Sequence, residues 1–372
     1  MRARRCIAAL LAAALLWPLS GAARAEEPSV NASGAALFIA DGARLIYGLN
    51  ENARLPMAST TKIMTALLAL ESCALDEMAE VPDEAVGVEG SSVYLARGET
   101  MSMRDLLYGL MLTSGNDAAV TIAVHVAGSV EAFAERMNER ARALGCTDTH
   151  FVTPNGLHDD EHYTSARDLG LIACEAMKNE DFRTIVSTEY YETRTGDHAR
   201  TFKNKNKTLW QYEGGCGVKT GFTKAAGRCL VFSAERAGVL IVGVVLNCPN
   251  MWEDAFALLD AGFDMTERRR LVAAEQPLAS LPVEKSEVKA LAVYPKNDIL
   301  GTLKADGSEE IGWELRLPDA LVAPVEAGTE VGALRLIVDG RTLSETPLIV
   351  AQGAALRTPG EWWRRVLEAF VA

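Results

Sequence analysis

After Gly214-Gly215 the chain presents three apolar runs in succession, "CGVKTGF", "GRCLVFSAER" and "VLIVGVVLNC", separated only by turn residues at 223–227 and 237–238. Short runs of this composition, bounded by Gly and Ala-Gly, read as strands joined in a meander. Near the start of the same region two further apolar runs flank "ADGAR" between Ala35 and Tyr47, and Asp-Gly between apolar runs signals a β-hairpin. The intervening sequence reads as helix and loop: a helix over about 59–70 behind Pro56, with Ser59 as a reasonable N-terminal cap, and helices over 102–127 and 129–144. A loop rich in Thr, Pro, Asn, Gly and Asp over 147–163 and a helix over 165–178 follow. A final helix over about 251–266 closes the region. Strands at both ends with helices between them predict one antiparallel sheet shared by the two ends, with helices packed on it, an α+β arrangement.

A chain of 372 residues has room for more than this unit. The first unit is expected over 29–270. Residues 271–285, with Pro277 and Pro282, read as a linker, and 286–352 as a small all-β domain of short strands and turns. In the final "EWWRRVLEAFVA", apolar side chains at 362, 363, 366, 367, 370 and 371 oppose polar ones at 361, 364, 365 and 368. That pattern predicts an amphipathic helix over 360–372, and its Trp and Arg pairs suit either a membrane interface or a cap on the β domain.

Residues 1–25 carry a basic start, an apolar stretch over 7–19 and Ala23-Arg24-Ala25, the order of a secretory signal peptide. The protein is therefore expected to be exported, to the cell envelope. The net charge is −13, and the leader holds four Arg and no acid, so the remainder is more acidic still. Such a chain is a poor nucleic-acid binder. Six cysteines lie beyond the leader, Cys73, Cys146, Cys174, Cys216, Cys229 and Cys248, without CxxC or other ligand spacing. An even number in an exported protein permits disulfides. Cys73, Cys174 and Cys229 sit in apolar runs, which favours small buried hydrophobes instead. Neither a metal nor a cofactor is expected.

Three short stretches carry chemistry. In "PMASTTKIMT", Ser59 and Lys62 stand three residues apart and share a helix face. A serine hydroxyl needs a base nearby to act as a nucleophile, and a lysine supplies one only if its amine is neutral. Ser114-Gly115-Asn116, in "MLTSGNDAAV", falls at a break between helical runs and can aim a hydroxyl and an amide into a cleft. Lys219-Thr220-Gly221, in "GVKTGFT", opens the meander. Lys219 is a second cation that would depress the amine of Lys62, and with Thr220 it can receive a carboxylate. Gly221 leaves room for substrate backbone at the strand edge. Each piece alone has a bland reading as a cap, a turn or a strand end. In this order, on a helix, a helix break and a strand, they form the triple of penicillin-binding proteins and class A β-lactamases.

With these motifs, and with "LPMASTTKIMTALLALE", "LLYGLMLTSGNDAAVTIA", "FVTPNGLHDDEHYTSARDL" and "GVKTGFTKAAGRCLVFSA", the sequence resembles the serine D-Ala-D-Ala carboxypeptidases, the low-molecular-mass penicillin-binding proteins, over roughly 29–350. The resemblance implies the β-lactamase/transpeptidase fold followed by a small all-β domain. It implies that Ser59 is acylated, that Lys62 is its base and that Ser114 relays protons. It further implies that Asn116 holds Lys62 or the substrate amide, and that Lys219 and Thr220 grip the terminal carboxylate. The backbone amides of Ser59 and Phe222 would form the oxyanion hole; relatives differ at the position of Phe222, but the donor there is backbone. Peptidoglycan stem peptides would be the substrates and β-lactams the inhibitors.

Other readings stay open at this level. A transpeptidase or endopeptidase differs only in the acceptor or in the bond chosen. A β-lactamase would need a deacylating glutamate, for which Glu175 to Asn179 is the literal Glu-x-x-x-Asn match. A zinc peptidase would use His158 and His162 of "HDDEH". The three differ in measurable ways: penicillin turned over or trapped, and activity kept or lost on chelation.

Overall fold

A computed structural model describes residues 28–358 and, beyond them, residues 360, 363, 367, 368 and 370. The leader over 1–25 lies outside the described residues. The first hairpin is β1 (Gly34–Ile39) and β2 (Arg44–Leu49), and the meander is β7 (Gly215–Thr223), β8 (Gly227–Arg236) and β9 (Val239–Leu246). They form one antiparallel sheet in the order β2-β1-β9-β8-β7, so the hairpin pairs directly with the last meander strand. β7, the strand carrying Lys219, is an edge.

Burial on two faces explains why these strands read as continuous apolar runs rather than alternating ones. From β1, Ala36 and Phe38 join the helical core while Ala35, Leu37 and Ile39 face the other side. β9 divides likewise, Val242, Val244 and Leu246 against Val239, Ile241 and Val245. Gly243 is required where the layers meet, because a Cβ there would lie 2.2 Å from the Phe232 ring.

One face is covered by the helices between hairpin and meander. These are α1 (Lys62–Ser72), α2 (Met103–Tyr108), α3 (Asn116–Ala127), α4 (Val130–Ala143), α5 (Ala166–Ala176), α6 (Glu180–Ser187) and the single turn α7 (Thr208–Gln211). Two short ladders, β3 (Met78–Glu80) with β4 (Thr100–Ser102) and β5 (Tyr190–Glu192) with β6 (Thr201–Lys203), trim the surface. The opposite face is covered by α8 (Met251–Asp264), through Met251, Ala255, Leu258 and Leu259.

Two helices differ from expectation. The segment over 59–70 opens as a 3-10 turn, Ala58–Thr61, and becomes α-helical only at Lys62. Ser59 makes no side-chain cap, and its hydroxyl faces Lys62 instead. The run over 102–127 is cut by a π-helical turn, Gly109–Thr113, and by Ser114 in the left-handed region at φ 69°. The expected break thus falls at the second motif.

β10 (Thr266–Val272) leaves α8 and pairs with β13 (Ile299–Lys304). Beyond it, β11 (Ala279–Glu284), β12 (Ala290–Pro295), β14 (Ile311–Arg316), β15 (Leu321–Val322), β16 (Glu330–Val338) and β17 (Arg341–Val350) form a six-stranded sheet, ordered β14-β16-β17-β12-β11-β15. Residues 271–285, expected as a linker, therefore hold the end of β10 and all of β11. Pro282 sits on β11 and leaves its pairing with Ala290 intact. The two regions meet through Arg44, whose guanidinium donates to Glu309 and to the Thr302 carbonyl, both at 2.5 Å. Both charged side chains are nearly sealed from water. The described tail residues 360, 363, 367, 368 and 370 are helical, and Trp363, Leu367 and Phe370 are exposed.

Candidate active site

The three motifs converge where α1, the 113–116 break and the edge strand β7 meet. The Ser59 turn is held in an uncommon backbone state: Ala58, just before Ser59, has φ 49°. Left-handed backbone at a non-glycine residue costs energy and persists only where the surroundings fix it. Here Thr61 Oγ1 donates to the Ala58 carbonyl at 2.8 Å, and Thr60 Oγ1 donates to the Met57 carbonyl at 2.6 Å. Gly156, itself at φ +84°, lies so close that a Cβ would sit 2.0 Å from the Ala58 oxygen.

Lys62 is fully buried one turn on. Its Nζ lies 3.1 Å from Ser59 Oγ, 2.7 Å from Asn116 Oδ1 and 2.6 Å from the Asn155 carbonyl. The Asn116 amide is oriented by its own Nδ2, which donates to the Glu89 carbonyl at 2.5 Å, so Oδ1 must face the lysine. Burial pushes the Lys62 amine well below its ordinary value, and the nearby charges of Lys219 and Lys205 push it further. A neutral amine has two N–H bonds and one lone pair. Asn116 Oδ1 and the Asn155 carbonyl can only accept, so they take the two N–H bonds. The lone pair is left for the Ser59 hydroxyl, and this arrangement can accept the serine proton.

Lys219 is also buried, with its Nζ on the Thr220 carbonyl at 3.0 Å. Burial first, and Lys205 second, bring its amine down to about 7. Thr220 is half-buried. Gly221 has a sharper reason to be glycine than substrate access: a Cβ there would lie 3.0 Å from the Met57 oxygen and 3.1 Å from the Ser59 amide nitrogen. The edge strand therefore abuts the Ser59 turn, with the Ser59 amide beside Gly221 and one residue from Phe222. The Phe222 side chain itself is exposed. Ser114 is buried at the break, and the Asn116 backbone that follows is tied to the Ser91 carbonyl at 2.7 Å.

Sequence reasoning missed three contributors. Lys205, in "KNKNK", donates to the Thr113 carbonyl at 2.8 Å and adds a third positive group beside the two lysines. Asn155 contributes its carbonyl, which no side-chain motif could reveal. His162 is the third. Its Nδ1 accepts from the Val152 amide at 2.9 Å, so its Nε2, 2.8 Å from Thr61 Oγ1, carries the proton and donates. Burial lowers its pKa to about 4, which keeps the ring neutral. It ties the 150–163 loop, and with it the Asn155 carbonyl, to the Ser59 turn.

The competing motifs separate. His158 is exposed and faces Asp160 at 3.5 Å, while His162 is buried on Thr61, so the pair does not converge on one metal. Glu175 is engaged by Arg140 and Lys178 at 2.9 and 2.6 Å, and Asn179 caps α6. Both are committed away from Ser59. A cavity of about 460 Å³ where the two regions meet, lined in part by Asp41, Lys178, Arg183 and Arg268, includes none of the motif residues.

Comparison with known proteins gives the family. The family described as D-alanyl-D-alanine carboxypeptidase matches residues 21–250, and the family described as Penicillin-binding protein 5, C-terminal domain matches residues 267–354. D-alanyl-D-alanine carboxypeptidase DacF of Bacillus subtilis is 32% identical over 357 residues, covering 91% of this chain and 92% of that one. A D-alanyl-D-alanine carboxypeptidase of Streptomyces sp. strain K15 is 37% identical over 290 residues, covering 71% of this chain and 99% of that one. Among solved structures, penicillin binding protein 5 from Haemophilus influenzae superposes with a TM-score of 0.64 at 26% identity, covering 89% of this chain and 99% of that chain. The chain belongs to the D-alanyl-D-alanine carboxypeptidases, serine hydrolases with a mixed α/β catalytic region and a C-terminal β-sheet domain.

Proposed function

We propose that the D-Ala-D-Ala carboxypeptidase activity of this chain is carried by Ser59, with Lys62 as its base and Lys219 and Thr220 as the carboxylate clamp. The observation behind this reading is the contact set of Lys62, a sealed amine whose two N–H bonds are claimed by Asn116 and Asn155 while Ser59 takes the third direction. Ser59 Oγ attacks the carbonyl of the penultimate D-Ala as its proton passes to Lys62 Nζ. The oxyanion that forms is held by the amides of Ser59 and Phe222. The peptide C–N bond then breaks, and the proton moves from Lys62 by way of Ser114 to the departing amine of the terminal D-Ala. Water repeats the sequence on the ester, giving its proton to Lys62 and releasing Ser59. Lys219, charged, pairs with the terminal carboxylate, and Asn116 positions Lys62. β-Lactams, as acylating mimics, would stop at the ester.

The leader pattern supports export, and with it action at the outer face of the cytoplasmic membrane or in the wall. The exposed Trp363, Leu367 and Phe370 of the helical tail support a peripheral membrane contact through 360–372. Nothing in an acidic chain of this kind supports a nucleic-acid partner.

The test is intact mass after incubation with benzylpenicillin, for the wild type and for Ser59→Ala. One covalent adduct is expected, on the wild type alone. An adduct that persists on Ser59→Ala moves the nucleophile elsewhere.

A further inference from the structure

The helices that present Lys62 and Asn116 to each other also come together at their other ends. α1 ends at Ser72, and Cys73 follows as its C-terminal cap residue. α3 ends at Ala127, with His125 in its last turn. Between them the loop after Cys73 delivers Glu77. Cys73 Sγ, a Glu77 carboxylate oxygen and a His125 ring nitrogen lie within 4.8 Å of one another. His125 Nε2 is 2.8 Å from Glu77 Oε1. Cys73 and His125 are half-buried, and Glu77 is exposed.

Backbone contacts hold this loop on both sides. The Cys73 amide donates to the Ala69 carbonyl at 2.9 Å and the Glu77 amide to the Ala74 carbonyl at 3.1 Å. The N-terminus of α2 reaches across, with Met103 N–H on the Glu77 carbonyl at 2.8 Å and Arg104 N–H on the Leu75 carbonyl at 2.9 Å. The three side chains are thus presented from a fixed scaffold. A tetrahedral ion with Zn–S of about 2.3 Å and Zn–N or Zn–O of about 2.0–2.2 Å needs its ligand atoms about 3.3–3.8 Å apart. To reach that spacing the His125–Glu77 pair opens from 2.8 Å, and the Cys73 thiol closes on both from within 4.8 Å. Thiolate, imidazole and carboxylate together suit a borderline-soft ion such as zinc, and not magnesium or calcium, which want oxygen alone.

We propose that Cys73, Glu77 and His125 form a zinc-class metal site, completed by water, that clips the C-terminal end of α1 to that of α3. At a rise of about 1.5 Å per residue, Cys73 and His125 lie roughly 14–17 Å along α1 and α3 from Lys62 and Asn116. It takes no part in acyl transfer. Binding a metal there favours the folded state by linkage and steadies the two helices whose first residues are Lys62 and Asn116.

The test is cobalt titration of the reduced, metal-free full chain, followed in absorbance and then competed with zinc. One Co(II) per chain is expected, with a near-ultraviolet thiolate-to-cobalt band and the visible bands of a tetrahedral ion, both erased by zinc. Cys73→Ser abolishes the thiolate band. His125→Ala and Glu77→Gln, both changes at the surface of the fold, weaken cobalt binding by more than the roughly 10–100-fold typical of losing an outer-shell partner. Cys216→Ser, a change at the other half-buried thiol, leaves it intact. Zinc at about a hundred times its Kd raises the unfolding midpoint of the wild type and not of His125→Ala. Absence of a thiolate band in the wild type, its survival in Cys73→Ser, or unchanged binding in both His125→Ala and Glu77→Gln overturns the proposal. Benzylpenicillin acylation is expected at the wild-type rate in all four variants.

Discussion

The two regions of this molecule bury different things. The catalytic region seals in Lys62, Lys219, Asp117, Asp168 and His162. Beyond residue 265 the buried polar residues, among those described, are Ser286 and Thr302, and the sealed Glu309 carboxylate is paired with Arg44 of the catalytic region. The β domain is built as economy dictates, with strands such as β11 and β12 alternating exposed and buried positions around Leu281, Val283, Leu291 and Val293. Burying an ammonium is expensive in water-free surroundings and finds relief in shedding its proton. Among the described residues the chain does so twice in one cleft, at Lys62 and Lys219, and not in its second domain. The comparison teaches that the energetic strain of this protein is concentrated where the chemistry is.

The sharpest way to break that contrast is Lys62→Met. Loss of a general base costs roughly 10²–10⁴-fold in rate, so benzylpenicillin acylation, measured in a single turnover, should fall by at least that much. The unfolding midpoint should shift little, because relief of the amine's desolvation offsets the donors lost to Asn116 and Asn155. A large loss of stability would show that the buried lysine is structural.

Next in size is Glu309→Ala. Breaking a buried ion pair by removing one partner costs about 3–5 kcal/mol, so the midpoint of urea unfolding should drop while the acylation rate of the folded molecules stays put. A change in acylation would mean that the junction at Arg44 reaches the site. Gly221→Ala is smaller: crowding the Ser59 turn should cost about 1–3 kcal/mol of stability and slow acylation as well. An unaffected acylation rate would show that β7 does not set the position of the Ser59 turn.

The last effect has a pH signature. Lys219 sits at about 7 when folded and at its ordinary 10.5 when unfolded. Between those values the unfolded chain holds a proton that the folded chain lacks, so this residue's penalty on folding shrinks as pH rises. Lys219→Met should therefore melt above the wild type near pH 7, with the gap narrowing toward pH 9. A gap that widens would reverse the sign of the burial effect.

Much of this was legible in the sequence. The Asp-Gly hairpin and the three-strand meander announced a shared sheet because turn residues and strand length are local signals. The spacing of Ser59 to Lys62 and the break at Ser114 were equally local. What stayed hidden depends on contacts across the chain. The Asn155 carbonyl carries no side-chain signature. His162 read as half of a zinc motif, and only the packing of the 150–163 loop turned it toward Thr61. Lys205 belongs to no motif, and only the path of the chain after β6 brings it to the Thr113 carbonyl. The 3-10 start of α1 was missed because Ser59 fits the pattern of a cap, a role its hydroxyl gives up to Lys62. The β10–β11 segment looked like a linker because its two prolines masked strand character.

The central claim is that Lys62 stands as a free amine beside Ser59 at neutral pH, with a charged Lys219 nearby to receive the carboxylate. The direct test is the second-order rate constant for acylation by a D-Ala-D-Ala peptide, measured as a function of pH on the wild type. The account predicts a bell, rising through an acid limb far below the ordinary lysine value as Lys62 sheds its proton and falling through about 7 as Lys219 loses its charge. A rate that climbs without a maximum toward about pH 10.5, the ordinary lysine value, would contradict it.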